Sequence, residues 1–229
     1  MHPKTELNGD VRSQLPSSHP SSHHPWHQYY QAVANRPPRE TLIAALDAFA
    51  SEWSLLSADQ LADKAVGFAV DLGCGNGRDT VEMLRRNWSV LAIDGELEAI
   101  EQLQQRQDIA LNRLTTQVQR FETLALPSHI DLLNASFCLP FCPPEHFLDL
   151  WEKIVKALRP GGRFCGHLFG DRDSWIAYPN RSHHTRSQVE QLLIPFDIEL
   201  LDEEEHPGKT ALGEEKYWHI YNIVARRRP

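Results

Sequence analysis

Long hydrophobic runs are missing from this chain: no apolar stretch approaches the roughly 18 residues that cross a bilayer, and the N-terminus has no signal-peptide core. Cysteine is scarce. The four present, Cys74, Cys138, Cys142 and Cys165, form no CxxC pair and lie in or beside apolar segments. That excludes a disulfide scaffold and predicts buried thiols in a reducing compartment rather than zinc ligands, so no metal is expected. Positive charge is also in short supply, with 23 Lys and Arg against 31 Asp and Glu for a net −8. Such a field repels polyanions and anionic lipid, which argues against nucleic-acid or membrane partners. The one basic run, Arg226-Arg227-Arg228, follows a predicted strand and reads as a solvated tail. The expectation is a cytoplasmic monomer or homodimer acting on a small molecule.

What is present is ordinary globular composition, 41% apolar and 24% charged, enough for one core. Residues 1–24 are rich in Ser, Pro and His and bury too little to offset ordering entropy, so they read as a disordered tail. His19, His23, His24 and His27 within and beside it read as a loose surface tract rather than a metal site. Residues 25–229 read as one domain, with a helical lid over 25–64 and a Rossmann-like core over 65–229.

The stripe Leu42, Ala45, Leu46 and Phe49 predicts a helix before the first strand. Strands are then predicted at Ala65–Asp71, Val90–Asp94, Gln117–Phe121, Ile130–Ser136 and Gly162–Phe169. Helices alternate with them: Asp79–Arg86, one around Leu97, Ile100 and Leu103, and one opened by Pro143-Pro144 and carrying Phe147 to Leu158, closed by Gly161. Thr185 and Gln188 form a capping box for a helix through Leu193. Phe196–Leu201 and Trp218–Val224 are consecutive strands, and the polar link Asp202–Lys216 is too short for a crossover helix, so the last strand returns antiparallel. The fold class is α/β: a doubly wound, mostly parallel seven-stranded sheet with a C-terminal antiparallel hairpin and helices on both faces.

The strongest chemical signal is Ala69-Val70-Asp71-Leu72-Gly73-Cys74-Gly75-Asn76-Gly77-Arg78-Asp79, a buried strand that runs through a glycine turn into a helix. A GxGxG alone is weak, and charge narrows its meaning. A dinucleotide would lay its pyrophosphate over this turn, where the Asp71 carboxylate repels it. S-adenosylmethionine instead brings a sulfonium and an ammonium. Seventeen residues after Gly77, Asp94 ends the next strand at the same sheet edge, the position of a ribose-diol acceptor.

These residues resemble the class I S-adenosylmethionine-dependent methyltransferase family over most of residues 26–225. Val70-Asp71-Leu72-Gly73-Cys74-Gly75-Asn76-Gly77 is similar to its first motif and Ile93-Asp94 to its second. Leu158-Arg159-Pro160-Gly161-Gly162 is similar to the turn before its fifth strand. The resemblance implies that Phe121 and Glu122, after the third strand, hold the adenine, although Arg120 stands where many members carry Asp. It also implies that Asn134 and Ala135, in Asp131-Leu132-Leu133-Asn134-Ala135-Ser136-Phe137, line the cofactor, with Cys74 beside them. Gly75 to Arg78 and Gly170-Asp171-Arg172-Asp173-Ser174-Trp175 resemble the tellurite-resistance and thiopurine methyltransferase branches, which take small acceptors.

Tyr30 and Arg39 precede the core. Tyr30 either faces the sulfonium or seals the core edge, and Arg39 either pairs the cofactor's carboxylate or is structural. Phe141, in Leu139-Pro140-Phe141-Cys142-Pro143-Pro144, either walls the acceptor pocket or caps the next helix. His167 and Asp173 complete the acceptor-side candidates, with a core histidine and a surface turn as their alternatives. The expected reaction is in-line transfer of a methyl group to a small molecule. A nicotinamide-dependent oxidoreductase and a non-catalytic cofactor-binding module are the competing functions.

Overall fold

The computed structural model describes residues 26–34, 36–56 and 67–229. The 1–24 tail, the strand residues Ala65 and Val66, and all of the histidine tract except His27 lie outside them. Eight strands form one sheet: β1 (Phe68–Leu72), β2 (Ser89–Asp94), β3 (Leu114–Val118), β4 (Ile130–Ala135), β5 (Leu158–Gly170), β6 (His183–His184), β7 (Phe196–Lys209) and β8 (Glu215–Arg227). Their order is β3-β2-β1-β4-β5-β8-β7, with the two-residue β6 beside the end of β5. Strands β1 to β6 pair in parallel, and β8 runs antiparallel to both β5 and β7. The expected doubly wound sheet with a returning hairpin is thus present. Its strand order reverses between β1 and β4, and there the crevice opens that binds ligands in such folds.

Helices cover both faces because strand residues alternate. Ala69, Val90, Leu132, Cys165 and Val224 point to the face closed by α2 (Glu40–Ser54) and α3 (Arg78–Arg85), through Leu42, Leu46, Phe49 and Met83. Val70, Leu72, Leu133 and Phe164 point to the face closed by α5 (Pro144–Ala157) and α6 (Arg186–Leu192), through Phe147, Leu150, Trp151 and Val189. Two more helices, α1 (Trp26–Val33) and α4 (Leu97–Gln104), stand near the C-terminal ends of β1 and β2. Among the described residues of 25–64, then, α2 belongs to the core and α1 is placed as a cover. No helix among the described residues is long and apolar enough to cross a membrane.

Start and stop signals act as read. Pro144 opens α5 at its first turn, and Thr185 and Gln188 make the reciprocal capping box of α6. Three boundaries differ. β3 runs Leu114–Val118 rather than Gln117–Phe121, because pairing with β2 ends where Asp94 meets Val118 and Phe121 then turns into the core. Leu158 belongs to β5, not α5: it pairs with Ile130, the chain loops out through Gly161 at φ +77°, and pairing resumes at Arg163. A side chain on Gly162 would meet the Ile130 carbonyl at 2.8 Å. Finally, β7 and β8 absorb most of Asp202–Lys216 and leave a tight turn in which the Thr210 amide donates to the Glu214 carbonyl at 2.8 Å. Polar residues extend this edge strand because Arg172 takes the charge of Glu203 and Glu205, at 2.9 and 2.5 Å.

Candidate cofactor and acceptor site

At the centre of the crevice two buried carboxylates share one amide. Asp71 sits between Ala92 and Asn134 in the sheet register, and it is 1% exposed. Thr80 Oγ1 donates to its Oδ2 at 2.5 Å and Asn134 Nδ2 to its Oδ1 at 2.8 Å. The same Asn134 nitrogen donates to Asp79 Oδ2 at 3.3 Å. Asp79 also accepts from the Arg39 amide at 3.0 Å and from Arg78 Nε at 3.2 Å. Burial and the neighbouring Asp79 charge raise the Asp71 carboxyl above its ordinary range. Desolvation acts on Asp79 too, but the Arg78 charge and the hydrogen bonds it accepts outweigh it and hold its carboxyl low. The standing negative charge of the pair therefore rests on Asp79. Its place in the first turn of α3, directly after the glycine motif, was the available signal for it.

The three glycines of the motif do different work. A Cβ on Gly73 would lie 2.3 Å from Cys138 Cβ, and one on Gly77 would lie 2.4 Å from Leu103 Cδ1, so both are set by close packing of protein on protein. Gly75, at φ +54°, faces the crevice, and its nearest neighbour would be the Tyr30 ring at 3.3 Å. Asp94 is tied to this turn: its Oδ2 accepts the Gly75 amide at 2.8 Å and its Oδ1 the Glu96 amide at 2.9 Å.

Helix α1 lies over the turn. Asn76 Nδ2 donates to the Tyr30 carbonyl at 3.2 Å, His27 pairs with Glu98 of α4, and Tyr30 is 3% exposed. Burial, with Asp94 and then Glu96 nearby, pushes the Tyr30 hydroxyl well above the ordinary phenol range. Tyr29, Tyr30, Cys74, Gly75, Asp71, Asp79 and Ser136 enclose a cavity of about 40 Å³, room for roughly a single water. As it stands, the cavity is smaller than a nucleoside.

The residues suit a cationic amino-acid-bearing nucleoside better than a pyrophosphate. Three carboxylates ring the turn, and the Arg39 Nε is buried with no hydrogen-bond partner. Burial, then the Arg78 charge, lowers the Arg39 guanidinium to about 10, and an incoming carboxylate would restore it. Asn134 joins the two acids, and the cavity lining on the β4 side is Ser136 rather than Asn134 or Ala135. Phe121 and Glu122 are not brought to the cavity: Phe121 packs against the core and Glu122 is exposed. Cys74 lines the cavity, with its thiol pushed up by burial, as are those of Cys138 and Cys165. Each of the four thiols has its own protein partner, at the Gly75, Leu72 and Pro143 carbonyls and Asn134 Oδ1.

Toward β5 and β8 the crevice becomes aromatic. Phe137, at φ +55°, stacks on His167 at 4.0 Å and carries the Arg39 guanidinium at 4.3 Å on its ring. Burial drives the His167 imidazole down to about 3, so it is a neutral stacking partner and not a proton carrier near pH 7. Phe141 is a wall, 5.3 Å from Trp26 and 6.0 Å from Trp175. Asp173 corrects the acceptor-side expectation. It is fully buried, pairs with the equally buried Lys216, and accepts the Trp175 and His219 amides. Lys216 is boxed by Phe169, Trp175 and Trp218 at 4.6, 4.2 and 4.4 Å. Glu203, Glu205 and His219 converge nearby, but the Arg172 guanidinium already bridges both carboxylates.

Residues 69–162 match the family model of a methyltransferase domain. The chain is 30% identical over 155 residues to a carboxy-S-adenosyl-L-methionine synthase from Photobacterium profundum, covering 56% of this chain and 62% of that one. It spans less than two thirds of the length of the curated relatives it matches. TehB from Haemophilus influenzae superposes with a TM-score of 0.62 at 13% identity, over 74% of this chain and 60% of that one. Magnesium protoporphyrin IX methyltransferase from Synechocystis, solved with bound SAM, gives 0.58 at 14% identity, over 89% and 91%. The chain thus carries a match to a methyltransferase domain over residues 69–162, on a fold that it shares with these solved structures.

Proposed function

We propose that the protein binds S-adenosylmethionine over the Gly75 turn and transfers its methyl group to a small molecule held between the β4 and β5 loops. The observation that carries this reading is the buried Asp71–Asn134–Asp79 cluster beside a glycine with no side chain, a negative surface at the head of α3 where a phosphate would be repelled. When bound, the cofactor supplies a methyl group on a cationic sulfur, already activated for displacement. Asp79 neutralises that cationic end, Arg39 takes the carboxylate, and Asp94 turns from the Gly75 amide to the ribose hydroxyls. Tyr30 then closes over the nucleoside and excludes water. The remaining task is to position the acceptor, which is why the acceptor side is built from rings and not from a nucleophile.

Calorimetry tests this directly. S-adenosylhomocysteine is expected to bind and NAD to leave the protein unchanged. Binding of NAD over the same turn would overturn the reading. Small acceptors fit the likeness to the tellurite-resistance branch, and a screen of labelled methyl transfer to phenols, thiols, carboxylates and oxyanions would identify the class.

A second reading is favoured by the curated relatives: the chain modifies the cofactor itself to carboxy-S-adenosylmethionine, the S-methyl carbon losing a proton and taking a carboxyl group from a carboxylate co-substrate supplied in the incubation. Mass spectrometry of the cofactor pool after incubation separates the two, since only the second reading leaves a carboxylated cofactor.

A further inference from the structure

We propose that Arg181 and His183 form the acceptor-activating pair: His183 Nε2 takes the hydroxyl proton of a planar phenolic acceptor, and the Arg181 guanidinium holds the oxygen anion that results. This rests on the methyl-transfer reading and names the acceptor class for that same site.

The pair is held rigidly beside the aromatic wall. His183 opposes Phe169 in the β5–β6 pairing, with ring centroids 5.8 Å apart. The Arg181 guanidinium lies 4.5 Å over the Phe141 ring. Trp175 touches both of those rings, Phe141 at 6.0 Å and Phe169 at 5.9 Å, so one aromatic surface joins the residue under Arg181 to the residue beside His183. Ser182 between them is pinned to the opposite loop. Its amide donates to the Pro140 carbonyl at 2.9 Å and its hydroxyl to the Cys142 carbonyl at 2.7 Å. Arg181 and His183 flank that pinned residue, Arg181 leaving the turn closed on the Tyr178 carbonyl, and the Arg181 charge acts on the His183 imidazole.

Each member is left with an unused polar atom. His183 Nδ1 lies 3.3 Å from the Arg181 carbonyl, which can only accept, so Nδ1 carries the hydrogen and Nε2 carries the lone pair. That Nε2 is buried and bonds nothing. Arg181 Nε is likewise buried without a partner, and no carboxylate among the described residues pairs with the guanidinium. Nη1 donates to the Asn180 carbonyl at 3.2 Å, and the remaining donors lie in the plane of the guanidinium, the geometry that meets an oxygen anion. A buried lone-pair nitrogen next to a half-buried cation with no carboxylate partner matches a ligand that arrives with a proton and leaves it as an anion.

His167 and His184 also carry a buried ring nitrogen without a partner, at Nδ1, but their rings are packed away from the Arg181 guanidinium by their neighbours, and the acid is spent. His167 is stacked flat in the Phe137 sandwich, Asp173 is consumed by Lys216, and His184 packs 4.3 Å from Phe147 on the core side. Three charged groups face His183: Arg181, Lys216 and Asp173. Burial, with Lys216 and Arg181, outweighs Asp173 and keeps the imidazole neutral, the form that accepts a proton. The step balances: the O–H bond breaks, its hydrogen bonds to Nε2, the electron pair stays on oxygen against Arg181, and the imidazolium returns the proton to solvent.

The probe is 4-nitrophenol, whose phenolate absorbs visibly, titrated into full-length protein saturated with S-adenosylhomocysteine. Wild type is expected to favour bound phenolate about tenfold over the free probe at the same pH. Arg181→Met should abolish that shift and Arg181→Lys retain part of it. His183→Gln should leave binding of preformed phenolate at high pH intact, yet lose uptake of the proton at neutral pH. 4-Nitroanisole, which has no proton to give, should bind all four proteins alike. A probe that fails to bind, a bound probe with unchanged ionisation, or variants that ionise it as wild type does would each overturn the pair. Calorimetry of S-adenosylhomocysteine on the same samples keeps the readings apart. If it fails on wild type, the methyl-transfer reading falls; if it succeeds while the probe stays un-ionised, only the Arg181–His183 assignment falls.

Discussion

The two halves of the crevice are built on opposite plans. Over β1 and β2 the surface is acidic and made largely of backbone, with Asp71, Asp79 and Asp94 gathered around Gly75 inside one continuous stretch and its neighbouring strand. Over β4, β5 and β8 it is aromatic and cationic, assembled from Phe137 and Phe141 after β4, Trp175 and Arg181 after β5, and Lys216 at the start of β8. An acidic half suits a cation of fixed shape, and an aromatic, cationic half suits a flat anion. The contrast teaches that one binding half is a motif and the other is an outcome of folding.

Breaking the acceptor half at its foundation should have the largest effect. Lys216→Met strands the fully buried Asp173 carboxylate and should cost about 3–5 kcal/mol of stability in urea denaturation. A double variant with Asp173→Leu should recover part of that loss. Within the cofactor half, Gly73→Ala forces a Cβ into Cys138 at a positive φ and should cost about 2–4 kcal/mol. Gly75→Ala meets only the movable Tyr30 ring and should cost about 1–2 kcal/mol of stability while weakening S-adenosylhomocysteine binding sharply by calorimetry. Equal behaviour of the two glycine variants would erase the distinction between packing glycine and ligand glycine.

A subtler change separates charge from shape. Asp79→Asn keeps the volume but removes the standing charge, and should weaken S-adenosylmethionine about tenfold, roughly 1.4 kcal/mol, while affecting neutral-sulfur S-adenosylhomocysteine less. Equal losses for both ligands would show that Asp79 acts by geometry alone.

The smallest effect is a pH slope with two signs. The Asp71 carboxyl is raised from 3.8 to about 7, so the folded protein holds a proton that the unfolded chain releases. Its contribution to stability therefore declines as pH rises from about 4 through about 7. His167, lowered from 6.5 to about 3, works oppositely below pH 6.5, where the unfolded chain binds the extra proton. Between pH 6.5 and 7.5 the unfolded imidazoles of His167, His183 and His184 still shed protons, and against that rise the Asp71 contribution pulls Tm down. Over the same interval the affinity for cationic S-adenosylmethionine should rise, because ionised Asp71 favours the cation. Asp71→Asn should remove both contributions.

The sequence made the fold and the cofactor half readable because their signals are local. The strand–turn–helix around Gly75, the proline opening of α5 and the capping box of α6 each lie within a dozen residues. Even there, Asp71 was identified without its partners. Its hydrogen bonds to Thr80 and Asn134 make it an internal strut, and the standing charge falls to Asp79. The acceptor half was legible only in fragments, since Arg181 reaches Phe141 across 40 residues and Lys216 reaches Asp173 across 43. β3 was misplaced because its edge position leaves most of it polar and solvated, and β7 because arginines on neighbouring segments neutralise its acids.

Arg163 gives the molecule a mechanical property. At 2% exposure it fastens Glu52 of α2 at 2.5 Å and Glu199 of β7 at 2.7 Å, while its guanidinium lies over Phe49. A helix early in the chain and a strand near its end are thereby bolted to the middle of the sheet through one cation. Neither can detach without stranding that charge, so amide exchange in α2 and in the hairpin should slow and quicken together, as a single cooperative unit.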